Sequence, residues 1–520
     1  MVRRSCHPGR SRSAVGTVLS PRAMSLRLGF ACFLAAVLPS ACGGGTSPAA
    51  AVETPPAAPA STTAHGGAVM PPTTAAPTPA AGAAVDPCEL ARREGGKLRW
   101  FHDDYAGAMA CARSRSLPLA IDMWAPWCHT CLSMQAYVLT DDRLADYERR
   151  FVFLALDTDR EHNAAVVAKF PPAAWPTFFV VSPVDESIQA RFVGAATVEQ
   201  FARFLDDGER GHMAQGGAAL PTWDDAARRG DRASAGKQWA DAAAAYAQAV
   251  AAAPADWPRG PDVRVSWLAA LVRAHDVEGC ATIASTQLDA TGTSASATDF
   301  SLHVLGCADT QTDPTVQARL RDAVVSRLDA LTRGHSDALT VDDLSDALLV
   351  LRQALDGLGR GELAKQAATR QRKLLDEATA KAESPRLAMT YNWPRAEVYA
   401  YLGVPSELVP ALEQSVKDLP DEYDPPYRLA WTLLQAGEPA RARGYAEQAI
   451  EKAYGPRKAR AQGMLADIEH AAGDVEAERA ARAAAVATLE ALPIDARNPE
   501  TIAKAKAELD AVGKPAAVAK

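Results

Sequence analysis

"IDMWAPWCHTC", residues 121–131, decides how this chain is read. A short apolar run carrying one carboxylate, Asp122, leads past Trp124 and Trp127 to two cysteines two residues apart, Cys128 and Cys131. Four chemistries fit such a pair. A zinc site needs two more ligands, usually a second C-x-x-C or a histidine pair, and Cys88 and Cys111 lack that spacing. Thiolates favour Cu(I), so a copper-handling pair stays open. An inert disulfide across a two-residue gap closes too small a loop to add much stability. Redox exchange is favoured by the local context. A strand that delivers Cys128 to the first turn of a helix sets it against unpaired N–H groups and the helix dipole, which lower a thiol pKa. Cys131, one turn further in, keeps a higher pKa. Cys128 then attacks a substrate disulfide and Cys131 resolves the mixed disulfide.

Working outward, residues 87–210 alternate between strand and helix signals. "KLRWF" (97–101), "LPLAIDMW" (117–124), "FVFLALD" (151–157), "PTFFVVS" (176–182) and "QARFVG" (189–194) read as strands, the last two close enough to form a hairpin. "YAGAMACARSRS" (105–116), the segment from Cys131 to about Arg150, and "TVEQFARFLDDG" (197–208) read as helices, with Thr197 as N-cap and Gly208 near the end of the last. From about 222 to 510 strand signals vanish. The Trp239, Ala242, Tyr246, Ala249 and Pro254 spacing matches the second half of a tetratricopeptide repeat. Gly403, Gly437 and Gly473 follow at steps of 34 and 36 residues, each between two helical runs. Residues 260–390 are also helical, with Thr340 capping one helix, but their repeats cannot be phased. A plain bundle and a continuous superhelix both fit.

The N-terminal part sets the compartment. From Met24, the expected true start, Arg27 is a basic n-region, Leu28–Leu38 an apolar h-region, and Ser40 and Ala41 are small residues before Cys42. Residues 1–41 are therefore expected to be a signal peptide. Residues 42–86, rich in Ala, Pro and Thr, form an expected disordered tether. The net charge of −8 and the lack of a basic block argue against nucleic acid. An aromatic content of only 6% fits alanine-rich stacked helices better than a large sheet protein.

Three resemblances add to this reading. "DMWAPWCHTC" resembles the active-site segment of the thioredoxin family, and "WPTFF" (175–179) its cis-proline loop. The segment 98–208 is most similar to the C-terminal periplasmic domain of transmembrane thiol:disulfide interchange proteins. The resemblance implies an α/β thioredoxin fold followed by an all-α tetratricopeptide-like array. It implies Asp122 as the buried carboxylate that exchanges a proton with Cys131, and Trp127 and cis Pro176 as parts of a substrate groove; Trp175 stands where the family usually has a small or β-branched residue, and either narrows that groove or packs against Trp124 or Trp127. His129 and Thr130 replace the family's Gly-Pro and are expected to tune the couple, in a direction left open. The segment ending at Cys42 resembles a bacterial lipoprotein signal, with Pro39 where that pattern prefers leucine. It implies lipidation of Cys42 and an envelope location on the periplasmic side, the outer membrane being favoured.

In an oxidising compartment, Cys88–Cys111 and Cys280–Cys307 are candidate structural bridges. The expected function is thiol-disulfide exchange with protein disulfides or dithiols, served by a membrane redox donor or acceptor. A protein partner is expected on the repeat surface and membrane contact through a lipid anchor, with no cofactor, metal or nucleic acid. The alternatives are a non-catalytic scaffold or assembly lipoprotein, and a Cu(I)-handling thioredoxin-like protein.

Overall fold

The computed structural model describes residues 86–93, 95–334 and 338–514. The expected signal peptide, Met24, Cys42 and all of the expected tether before Asp86 lie outside the described residues.

The first part of the chain folds around a six-stranded mixed sheet. Its strands are β1 (Arg92–Arg93), β2 (Arg99–His102), β3 (Leu119–Trp124), β4 (Val152–Asp157), β5 (Thr177–Val181) and β6 (Ile188–Val193), in the order β1-β2-β4-β3-β5-β6. β2 and β3 flank β4 in parallel, while β5 runs antiparallel to both β3 and β6. β3 and β4 are almost wholly buried, as expected of strands covered on both faces. The period-2 geometry sorts neighbouring residues to opposite faces. Trp100, Ala120, Phe153 and Phe178 share a core with Met134, Phe201 and Phe204. Phe101, Ile121, Leu154 and Phe179 share the other with Met109 and Phe170. Helices therefore cover both faces: α1 (Tyr105–Arg115) and α3 (Ala164–Lys169) on one, α2 (His129–Ser133) and α4 (Val198–Gln215) on the other. By the same alternation Asp122 and Trp124 share the face of Ala120, the side of α2.

Two local expectations are corrected. The helix after Cys131 does not continue to Arg150. It widens into a π turn over Met134–Val138, stops at Leu139, and resumes as a 3₁₀ segment over Asp142–Arg149. Thr140 Oγ1 turns back to donate to the Ala136 carbonyl, and the Asp141 carboxylate caps the Arg143 N–H, so two polar side chains compete with helix continuation. Gly208 is not near the end of its helix but inside α4, which runs to Gln215 from the expected Thr197 cap. Its role is close packing: a Cβ there would lie 2.5 Å from Val180 Cγ2.

From Thr222 onward the described chain is helical. Thr222–Ala235 packs against Trp239–Ala252 through Ala226, Ala227, Ala242 and Ala243, with Tyr246 fully buried between them. The helices from Gly260 to Ala367 share that core, while Ala368, Leu375 and Tyr391 belong to a second one with Tyr399 and Leu429. Gly403, Gly437 and Gly473 sit at helix-pair turns with positive φ, as their spacing predicts. The array also meets the sheet domain. Arg259 donates to the Arg191 carbonyl at 3.0 Å and to Asp262, and it ion-pairs with Asp207 of α4 at 2.5 Å, all in buried surroundings.

The Gly208 contact is testable. Gly208→Ala should lower stability by about 1–3 kcal/mol through overpacking, more than the ~1 kcal/mol gained in helix propensity. Val180→Ala in the same chain should recover part of the loss. Thermal unfolding of the single and double variants checks both.

Candidate redox site

β3 ends at Trp124, a short turn follows, and Cys128 becomes the N-cap of α2, with its Sγ 3.0 Å from the Cys131 N–H. Cys128 and Cys131 are joined as a disulfide. They cluster with Ala125, Trp124, Trp127 and Trp175. The Trp127 and Trp175 rings are 5.3 Å apart, and Trp175 Nε1 donates to Thr158 Oγ1 at 2.8 Å. The Trp175–Pro176 peptide bond is cis. Asp122 is 2% exposed, and no protein donor reaches its Oδ1. Burial pushes its carboxyl up to about 8, partly offset by Gln135. The structure thus brings Trp127, Cys128, Cys131 and Trp175 together at one helix N-terminus, with Pro176 following Trp175 through the cis bond and Asp122 on the strand that leads to the cysteines. Cys88 and Cys111 are bonded where the N-terminal turn meets α1, and Cys280 and Cys307 join helices Val277–Gln287 and Ala295–Thr310.

The sequence gives no sign of what covers this site. The array does. Arg428, on Asp424–Gln435, donates to the Trp127 carbonyl at 3.1 Å. Arg457, on Gly455–Ala472, stacks 3.9 Å from the Trp127 ring centre, and Trp127 Nε1 donates to Asp159 at 2.7 Å. Tyr454 donates to Asp157, and Tyr137 meets Tyr391 hydroxyl to hydroxyl at 3.0 Å. Ser133 donates to Thr340 at 3.2 Å, and His129 Nδ1 lies 2.8 Å from Asp342 Oδ1. Cys128 is left 4% exposed and Cys131 1%. Thr130 Oγ1 is 3.5 Å from His129 Nδ1. Burial raises the Asp159 carboxyl, a shift that the Arg457 charge and the Trp127 hydrogen bond oppose. Asp342, Arg428, Tyr454 and Arg457 are the residues sequence reasoning missed. They lie more than 200 residues from their partners, and no local periodicity encodes such a contact.

His129, Asp342 and Asp346 each place one nitrogen or oxygen within 4.8 Å of the others. Because Asp342 already takes the His129 contact, the trio is read as an ion-paired cluster and no metal is assigned to it.

The comparisons agree with the sheet domain. The family model described as thioredoxin-like matches residues 100–183. No curated protein matches the chain. Among solved structures, BtubC (BKLC) from P. vanneervenii is 19% identical, over 39% of this chain and 84% of that one, with a TM-score of 0.29. A tetratricopeptide repeat protein from Parabacteroides merdae is 12% identical, over 56% of this chain and 99% of that one, with a TM-score of 0.35. The chain thus carries a thioredoxin-like domain, matched over residues 100–183, followed by a helical region.

The raised Asp122 carboxyl makes a stability prediction. The folded chain binds its proton up to about pH 8 while the unfolded chain releases it near 3.8. Stability from this group therefore falls as pH rises between those values. Asp122→Asn should stabilise the oxidised protein at pH 7 by roughly 2–4 kcal/mol, with the gain vanishing below about pH 4. Denaturant titrations at pH 4 and pH 7 measure this.

Proposed function

We propose that the protein is a thiol:disulfide oxidoreductase, exchanging electrons between Cys128–Cys131 and protein disulfides or dithiols. The observation that carries this is Asp122: a buried carboxyl, proton-bearing near neutral pH, on the sheet face toward α2. A structural staple has no use for a destabilising acid there. An exchanger does, because the resolving thiol must lose a proton as it attacks. Cys128, at the N-cap, is the nucleophile. Cys131, deeper, resolves. Trp175 and cis Pro176 edge the surface that would receive substrate.

The array changes the physical setting of that reaction. A folded substrate cannot reach a sulfur that is 4% exposed, so exchange requires the array to part from the loop. That same burial favours a second reading, in which the disulfide fastens a docking surface and the protein is a scaffold. The Cu(I)-handling alternative gains no specific support from the site.

The three bonded cysteine pairs suit an oxidising compartment, and the lipoprotein-like segment ending at Cys42 supports a lipid-anchored protein on the periplasmic side of a bacterial envelope, with the outer membrane favoured. There a membrane redox donor or acceptor would recharge the couple. Among the described residues no helix is long and apolar enough to cross a membrane.

Cysteine replacement separates the readings. Cys131→Ser should accumulate mixed disulfides through Cys128, and Cys128→Ser should abolish exchange. The scaffold reading expects neither. Gly455→Ala adds a test of gating: Gly455 has φ +52, and a Cβ there would lie 2.0 Å from the Asp159 carbonyl oxygen. The variant should loosen docking and speed mixed-disulfide formation with a protein substrate several-fold, as followed by non-reducing electrophoresis.

A further inference from the structure

His129 follows the nucleophile directly, yet its side chain is held from outside its own domain. Asp342, in the first turn of helix Val341–Gly357, has a side chain 1% exposed and touches His129 Nδ1 at 2.8 Å. That turn is fixed twice. A capping box joins Thr340 to Asp343, and Ser133, one turn beyond His129, donates to Thr340. The acid therefore approaches the imidazole from a rigid base.

Other charges face the ring. Thr130 contributes a hydroxyl from α2. Asp346 comes from the helix of Asp342, and Arg428 from Asp424–Gln435. Glu397, on Asn392–Tyr401, is itself ion-paired to Arg352 at 2.8 Å. Burial alone would strip the proton from His129. Asp342 and Asp346 outweigh that and the opposing Arg428, and the imidazole is pushed up to about 9.

We propose that Asp342 is a positioning residue of the redox centre: it holds the imidazole of His129, the residue that follows Cys128, so that contact with the helical array sets the balance between disulfide and dithiol. This rests on the exchange reading above. Reduction adds two electrons and one proton to the disulfide, leaving a thiolate at Cys128 and a thiol at Cys131. The new negative charge arises where little water reaches, one residue from the imidazolium. Attraction there favours the reduced state and makes the couple more oxidising. Asp342 acts on the thiolate through His129, so its loss is felt as loss of the nearer cation.

The test uses the full chain in glutathione buffers. One disulfide and two molecules of reduced glutathione give one thiolate, one thiol, oxidised glutathione and one proton. The reduced fraction of the Cys128–Cys131 peptide is read by alkylation and mass spectrometry at equilibrium, so slow access does not distort it. Asp342→Asn should lower the equilibrium constant for reduction about tenfold, ~30 mV for a two-electron couple. His129→Gln should do the same, and the double variant should add nothing. The ring titration of His129, followed by NMR, should move to lower pH in Asp342→Asn. An unchanged constant, a shift toward a more oxidising couple, or additive single effects would overturn the proposal while leaving exchange intact. A wild-type disulfide that fails to equilibrate with glutathione at any ratio would overturn the exchange reading and this inference together. Should Asp342→Asn fold poorly, an unchanged constant in His129→Gln still refutes the proposal, because His129 lies on the other side of the contact.

Discussion

The grip on Trp127 is the contact on which the rest of the molecule depends. The Arg457 guanidinium stacks on its ring, Asp159 accepts from its indole nitrogen, and Arg428 donates to its carbonyl. These groups are almost buried and charge-matched: Arg428 also ion-pairs with Asp424 at 2.9 Å, and Arg457 lies 3.7 Å from Asp159. Buried pairs of this kind add little net stability, since desolvation offsets their attraction. Removing one partner is costly, because it strands a charge. Such an interface is therefore specific rather than merely adhesive. It fixes the loop before Cys128 between its own sheet and a helix more than 300 residues away in sequence.

Much of the thioredoxin-like domain was legible in the sequence, because short buried strands leave an unmistakable pattern. "LAIDMW" and "FVFLALD" are apolar on both faces apart from Asp122 and the terminal Asp157, the pattern of interior strands. Thr197 and Gln200 form the capping box that opens α4, and the glycine spacing at 403, 437 and 473 marks real helix turns. Where the reading failed, a tertiary contact or a side-chain hydrogen bond overrode a local signal. Gly208 looks like a helix end until Val180 is seen against it. Thr140 and Asp141 look like ordinary helix residues until they turn on the backbone.

The candidate site divides in the same way. Asp122, Cys128, Cys131 and Pro176 carry a spacing that can be read along the sequence. Asp342, Arg428 and Arg457 carry none, since their meaning arises only when the array closes on the loop. His129 shows the consequence most clearly. Read locally it is the residue after Cys128, expected to tune the couple; in the fold it is the point at which helix Val341–Gly357 touches the helix that carries the cysteine pair. Helices of the array thus engage the chain's own sheet domain.

The most direct measurement of this account is the reactivity of Cys128 in the reduced, native full chain toward a small and a bulky thiol reagent. Iodoacetamide and a polyethylene-glycol maleimide would serve, each referenced to its rate on the urea-unfolded protein. If the array covers the active-site face, the bulky reagent should be slowed far more than the small one. Equal protection against both reagents, or none against either, would contradict it.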